Sequence, residues 1–389
     1  MRVRLLVMLA AVVALAGCGH AAGPPTAGSA APGRHCPGAT VPRFAAGFLT
    51  GMQFVSATRG WVVGQDKILA STDGGRQWSV QDSGQLDLTS VDFITSQIGW
   101  AVGTSVILAT SDGGAHWTAL PEPCPLIRSV HFVSPGRGFA VAGGRNVSDF
   151  GPEVPEVGGA VLTTSDGGHA WRALPAPPDA QTVCFTGPRD GWLGAGGRLY
   201  RTTDGGRRWV QATAAVTPIS ATYPYTMIVQ CAGTGSAWAL DIGPGAAVSQ
   251  QPHAGYHAGP AGTGPIFAEQ YFPHPGATVH ANSPGSYAGP FSAISSSAAV
   301  FIDWCPACGP GTARWDLATS SGASLTREGN VGGINDPQAA SFVSPQLGWV
   351  AGIVNHYNAT GITSQDQRIV FTNDAGRTWH VRYTSRKAT

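Results

Sequence analysis

The 389-residue chain reads as an all-β protein, a seven-bladed β-propeller with four antiparallel strands per blade. Three observations lead there. An eight-residue turn pattern recurs five times, a second, aromatic pattern marks seven starts, and 54 Gly with 29 Pro supply the turns that many short strands require. Charged residues make up only 12% and hydrophobic ones 43%, so the chain can build a large core and is unlike a disordered one. The net charge of +1, with both signs spread along the chain, gives no electrostatic footprint for nucleic acid.

At the amino terminus, Arg2 and Arg4 precede an apolar run from Leu5 to Leu15 and then small residues, the layout of an export signal over residues 1–17. The run is too short to span a bilayer. Leu15-Ala16-Gly17-Cys18 resembles the lipobox of bacterial lipoproteins, which implies cleavage before Cys18 and acyl chains that anchor it in the membrane. The alternative is an ordinary cleaved signal followed by a chance Cys. The expected location is therefore the extracytoplasmic face of the cell membrane. Residues 18–46, dense in Gly, Ala and Pro and without hydrophobic period, read as a flexible tether.

The propeller is expected over residues 47–385, with 386–389 as a tail. Its turn pattern is [S/T]-x-D-x-G-x-x-W, at Ser71–Trp78, Thr110–Trp117, Thr164–Trp171, Thr202–Trp209 and Thr372–Trp379. Asp73, Asp112, Asp166, Asp204 and Asp374 can accept backbone N–H groups that follow them, and the Gly two positions later supplies a positive φ. These acids are read as turn formers. The Trp opens the next strand and lays its ring across the turn.

Each of these boxes follows a second pattern by about 18 residues. It runs Phe54 to Gly60-Trp61, Phe93 to Gly99-Trp100, Phe132 to Gly138-Phe139, Phe185 to Gly191-Trp192, and Phe342 to Gly348-Trp349. It recurs without a box at Val229-Gln230-Cys231 before Trp238, and at Ala293-Ile294-Ser295 before Phe301. A unit has an inner strand such as Ser90 to Ile94, a second such as Trp100 to Gly103, a third such as Val106 to Ser111 and an outer one such as Trp117 to Leu120. In the fifth unit Ile266 to Tyr271 and Thr278 to Ala281 are expected as third and outer strands. In the sixth these are Arg314 to Thr319 and Leu325-Thr326.

Together the two patterns resemble the Asp-box (BNR) propellers, and among them the Ycf48-like family of exported assembly factors. The resemblance implies the propeller and a non-catalytic scaffold. It implies neither a cofactor nor a photosystem client, since the chain has no visible basic patch. The same blades also carry glycoside hydrolases. A sialidase needs three Arg, a Tyr–Glu pair and an acid, and Val41-Pro42-Arg43-Phe44 does not match the Arg-Ile-Pro segment such enzymes tend to have. Glu153 and Glu156 with Asp149 remain the candidate carboxylates for that alternative, because glycoside hydrolysis needs two acids. No catalytic residue is assigned.

Because successive strands alternate direction, the boxes occupy one rim and the variable loops the other. Insertions are expected at Gly144 to Gly159, Gly243 to Gly264, Cys305 to Gly311 and Val354 to Gln365. Variable loops on a rigid scaffold are where binding residues usually lie. Arg145, Asn146, Asp149, His356, Tyr357 and Asn358 are accordingly the candidate contacts for an unknown protein or glycan. Six Cys remain besides Cys18, and an exported chain favours disulfides. Cys184–Cys231, on inner strands of neighbouring units, and Cys305–Cys308 are the candidate pairs. The Cys305-Pro306-Ala307-Cys308 segment could instead be redox-active or a metal half-site, but it lacks a partner motif. His253, His257, His274 and His280 cluster in the fifth unit and read as a solvated loop, so no metal is assigned.

Overall fold

The computed structural model describes residues 48–64, 66–84, 86–124, 126–143, 159–212, 226–243, 253–259, 262–269, 278–280, 287–304, 313–320, 324–358 and 361–388. The signal segment, Cys18 and the tether lie outside them. Seven sheets follow one another along the chain, each of four antiparallel strands except that blade 5 adds a fifth. Blade 1 consists of Leu49–Phe54, Gly60–Gly64, Lys67–Ser71 and Ser79–Ser83. Blade 2 starts at Leu88–Phe93, blade 3 at Ile127–Phe132, blade 4 at Ala180–Phe185, blade 5 at Thr226–Cys231, blade 6 at Tyr287–Ser295 and blade 7 at Asp336–Ser344. Blade 7 takes all four strands from the carboxyl-terminal stretch, so the ring closes without exchanging a strand. Its outermost strand, His380–Ala388, includes residues expected as a tail.

Burial follows radial position. Second strands such as Gly60–Gly64 are buried along their whole length, because a blade packs on each face; outer strands such as Ser79–Ser83 are largely exposed. This explains the near-continuous apolar reading of the second strands. The aromatic pattern has an equally local cause. Phe54 lies flat against Trp349 of blade 7, with centroids 3.5 Å apart, and receives Trp78 of its own box edge-on at 5.9 Å. Blades 2 and 3 repeat this arrangement through Trp61–Phe93–Trp117 and Trp100–Phe132–Trp171, and blade 4 through Phe139–Phe185–Trp209. The Gly of each Gly-Trp pair is required by that ring, since a Cβ at Gly60 or Gly99 would run into Phe54 or Phe93.

The box turns are one geometry repeated. The Ser71 hydroxyl donates to Asp73 Oδ1 (2.9 Å) and accepts from Gly75 N (2.7 Å), while Asp73 Oδ1 also accepts from Gln77 N (2.9 Å). Thr110, Thr164, Thr202 and Thr372 serve their boxes in the same way. Two consecutive residues take positive φ, Gly74 and Gly75 in the first box, Ala375 and Gly376 in the last. These hydrogen bonds to the ionised form hold all five Asp carboxyls below the usual carboxylate range.

Blade 5 corrects the sequence reading. The third strand of blade 5 is His253–Gly259, inside the stretch expected as an insertion, and Gly262–Glu269 is its outer strand. Thr278–His280 pairs parallel to it as a fifth strand. Apart from Tyr256 this nearly fully buried strand is built from Ala, Gly and His, so it carries little strand signal. His253 and His257 thus belong to a strand, not a solvated loop; His274 and the His280 side chain lie outside the description. In blade 7, Val354 to Gln365 is a hairpin prolonging Leu347–Asn358 and Gly361–Thr372. In blade 6, Arg314–Thr319 and Ser324–Asn330 are the third and outer strands.

Candidate functional site

The inner strands surround a central cavity of about 710 Å³. Its wall is knitted by one position per blade, the residue just before the one that faces the neighbouring aromatic. The Gln53 amide accepts from Phe93 N and donates to Phe93 O; Asp92 Oδ2 accepts from Phe132 N at 2.6 Å; His131 Nε2 lies 2.7 Å from Phe185 O. Gln230 donates to Phe291 O (2.8 Å) and accepts from Ala293 N (2.9 Å). Ser292 Oγ accepts from Phe342 N, and Ser341 Oγ accepts from Phe54 N, each at 2.9 Å, which closes the circle. In blade 4 the same position is Cys184, and its link is covalent: Cys184 and Cys231 form a disulfide with Cα atoms 5.6 Å apart. Each blade therefore holds the next. The six polar side chains of this clamp are committed to backbone groups of the next blade. Cys184–Cys231 is the pair expected from the sequence; the other six positions are hard to read there because their residue types differ from blade to blade, and their constant place before the aromatic position is the signal that marks them.

Burial raises the Asp92 carboxyl despite the nearby His131 and the Phe132 N–H. Between blades 4 and 5, Asp241 is fully buried on a strand opposite Met227 and Ala254, and burial pushes its carboxyl well above the usual range. Tyr256 beside it is raised by burial and by Asp241. His257 packs against Trp238, and burial lowers its imidazole pKa.

On the rim opposite the boxes, the blade 7 hairpin carries three of the six candidate contacts. His356 Nε2 lies 3.0 Å from Asp366 Oδ2, which Arg368 also approaches at 3.3 Å, so His356 braces the hairpin. Tyr357 stands opposite Ile362 at the tip, and these large side chains are 56% and 48% exposed. Asn358 is exposed beside them. Arg145, Asn146 and Asp149 lie outside the described residues, as do Glu153, Glu156, Cys305 and Cys308. Cys124 is disulfide-bonded. Among the described residues no group of three His, Cys, Asp or Glu is placed to hold a metal ion, and no helix is long and apolar enough to cross a membrane.

Comparison with known proteins fits this architecture. Residues 45–178 match the family described as photosynthesis system II assembly factor YCF48. No curated protein matches the chain. Among solved structures, YCF48 bound to a D1 peptide is similar with a TM-score of 0.50 and 18% identity, over 78% of this chain and 89% of that one. The Niastella koreensis GH74 enzyme is similar with a TM-score of 0.52 and 10% identity, over 89% of this chain and 66% of that one. A chain of the mitotic checkpoint complex gives 0.53 and 7%, over 78% and 87%. At these identities the structural likenesses carry the fold alone. The chain is thus a seven-bladed β-propeller whose first three blades are similar to the YCF48 assembly-factor family.

Proposed function

We propose that this chain is an exported propeller, anchored in the cell membrane through lipid on Cys18, that acts as a non-catalytic scaffold for a protein partner. The observation that carries this reading is the blade 7 hairpin. A rigid ring lifts a strand pair off the rim opposite the boxes and presents Tyr357 and Ile362 to solvent, where exposed large apolar side chains mark contact surfaces. The likeness of blades 1 to 3 to an assembly-factor family supports it, as one YCF48 structure holds a peptide of another protein. The tether would give the propeller reach from the membrane.

The test is affinity capture from intact membranes with the full chain as bait. A protein retained by the native chain and lost with Tyr357→Ala/Ile362→Ser supports the scaffold reading. Equal capture by that variant moves the contact elsewhere. Release of the Cys18→Ser chain from the membrane fraction is expected, and its retention there would remove the anchor. Turnover of sialosides or β-glucans by the purified chain would overturn the non-catalytic reading in favour of a glycoside hydrolase.

A further inference from the structure

Blade 5 lacks a box, and the consequence falls on blade 4. At the blade 1–blade 2 junction three donors converge on one box oxygen, Gly113 O: the Arg59 guanidinium at 2.8 Å, the Gln81 amide at 2.9 Å and the Trp61 indole N–H at 3.3 Å. Trp100 donates likewise to Gly167 O, and Trp349 to Gly74 O. Trp238 finds Ser295 O instead. The fifth second-strand tryptophan, Trp192, has no acceptor for its N–H among the described residues. The third and outer strands of blade 5 meet at Gly259 and Gly262, so no Asp-Gly-Gly turn reaches back to it.

A cleft of about 530 Å³ lies between the two blades. Trp192 lines it, together with Arg201, Arg208 and Gln211 from blade 4 and Gly259 and Thr263 from blade 5. Gln211 stands in its outer strand where Gln81 stands in blade 1, directly after an exposed Val. The Arg201 guanidinium, from the strand position opposite Trp192, lies over the Trp192 ring, 5.4 Å from its centroid. Its ion pair with Asp190 is long, at 3.9 Å. Asp204, the acid at the cleft, is turned into its own box, where it accepts from Thr202 Oγ1 and from the N–H groups of Arg207 and Arg208.

We propose that this cleft binds a peptide carboxylate. Trp192 and the Arg201 guanidinium both line the cleft, and a peptide supplies there an acceptor oxygen of the kind that the chain's own backbone offers to an indole N–H and a guanidinium at the first junction. The second guanidinium, Arg208, shifts the preference from a neutral carbonyl to an anion, because charge-assisted bonds are about twice as strong as neutral ones. The carboxylate can be a chain terminus or an acidic side chain. The inference rests on the scaffold reading only in taking the partner to be a protein; the site is on another face from the hairpin.

The test uses the full chain, detergent-solubilised, with its tryptophans ¹⁵N-labelled at the indole. The Trp192 signal is assigned with Trp192→Phe, a change that blade 3 tolerates natively at Phe139. Three probes are titrated: N-acetyl-Ala-Ala-Ala with a free carboxylate, its amide, and N-acetyl-Ala-Glu-Ala-amide. The Trp192 resonance is expected to move with at least one acid and to stay with the neutral amide; which acid acts separates terminus from side chain. Arg208→Ala, on an exposed turn, is expected to weaken the response at least about tenfold, with the melting temperature retained. An equal response to the neutral amide, no response to either acid, or an unchanged affinity in both Arg201→Ala and Arg208→Ala overturns the proposal. Because the readout needs no cellular partner, it can fail while membrane capture succeeds, and the reverse.

Discussion

Cys184 and Cys231 are joined across the blade 4–blade 5 junction at the position where the other six blades use a hydrogen-bonding side chain. Cys231 also ends its inner strand where Phe54, Phe93, Phe132 and Phe185 end theirs, so the junction has a covalent link in place of an aromatic stack. The bond closes a loop spanning 47 residues of sequence. Chain-entropy reasoning gives such a loop about 4 kcal/mol, and native relaxation reduces it to about 2–4. Cys184→Ser/Cys231→Ser is expected to lose that much in urea denaturation; an unchanged midpoint would mean the seam does not depend on the bond.

The clamp ring predicts graded losses. Gln230→Ala leaves both Phe291 O and Ala293 N without their partner, whereas Ser341→Ala releases only Phe54 N. About 2–3 kcal/mol is expected for the first and about 1 for the second, since an orphaned buried polar group costs about 1–3 kcal/mol. Denaturant midpoints of the two variants decide it, and the reverse order would argue against the clamp account.

Box acids give the chain an acid limit. Hydrogen bonds from the Thr378 side chain and backbone hold Asp374 at about 2, below its ordinary 3.8. A depressed folded pKa contributes stability that is present above the unfolded value and is lost as pH falls through the folded one. Asp374→Asn is therefore expected to melt earlier than the native chain at pH 6, with the difference vanishing near pH 2. A pH-independent difference in melting temperature would assign the loss to geometry instead of charge.

Asp241 has the opposite sign. Burial raises its folded pKa, so its unfavourable effect is absent below about pH 4 and grows as pH rises toward the folded value. Asp241→Asn, nearly isosteric, is expected to raise the melting temperature at pH 7 and leave it unchanged at pH 3. A variant less stable than the native chain at pH 7 would show that the ionised form is favoured in the fold.

How much of this was written in the sequence can be followed residue by residue. Five of the seven starts and the five boxes are local: each needs a Gly under a Phe ring, or an Asp over four following residues, and such short-range geometry leaves similar letters at those repeats. Blade number and strand order followed directly. Blade 5 broke the reading because its third strand buries Ala, Gly and His, which a pattern of large apolar residues does not register. The clamp positions other than Cys184, whose disulfide with Cys231 is expected from the sequence, are not legible because Gln, Asp, His and Ser all perform one task there, reaching a backbone group of the next blade, some 40 to 60 residues away for Gln53, Asp92 and Gln230. Likewise, the chain spells out that the fifth unit has no Asp-Gly-Gly, but only the closed ring sets that absence against Trp192 and two arginines. Local steric rules fix letters, whereas the convergence of donors on one point depends on how blades pack.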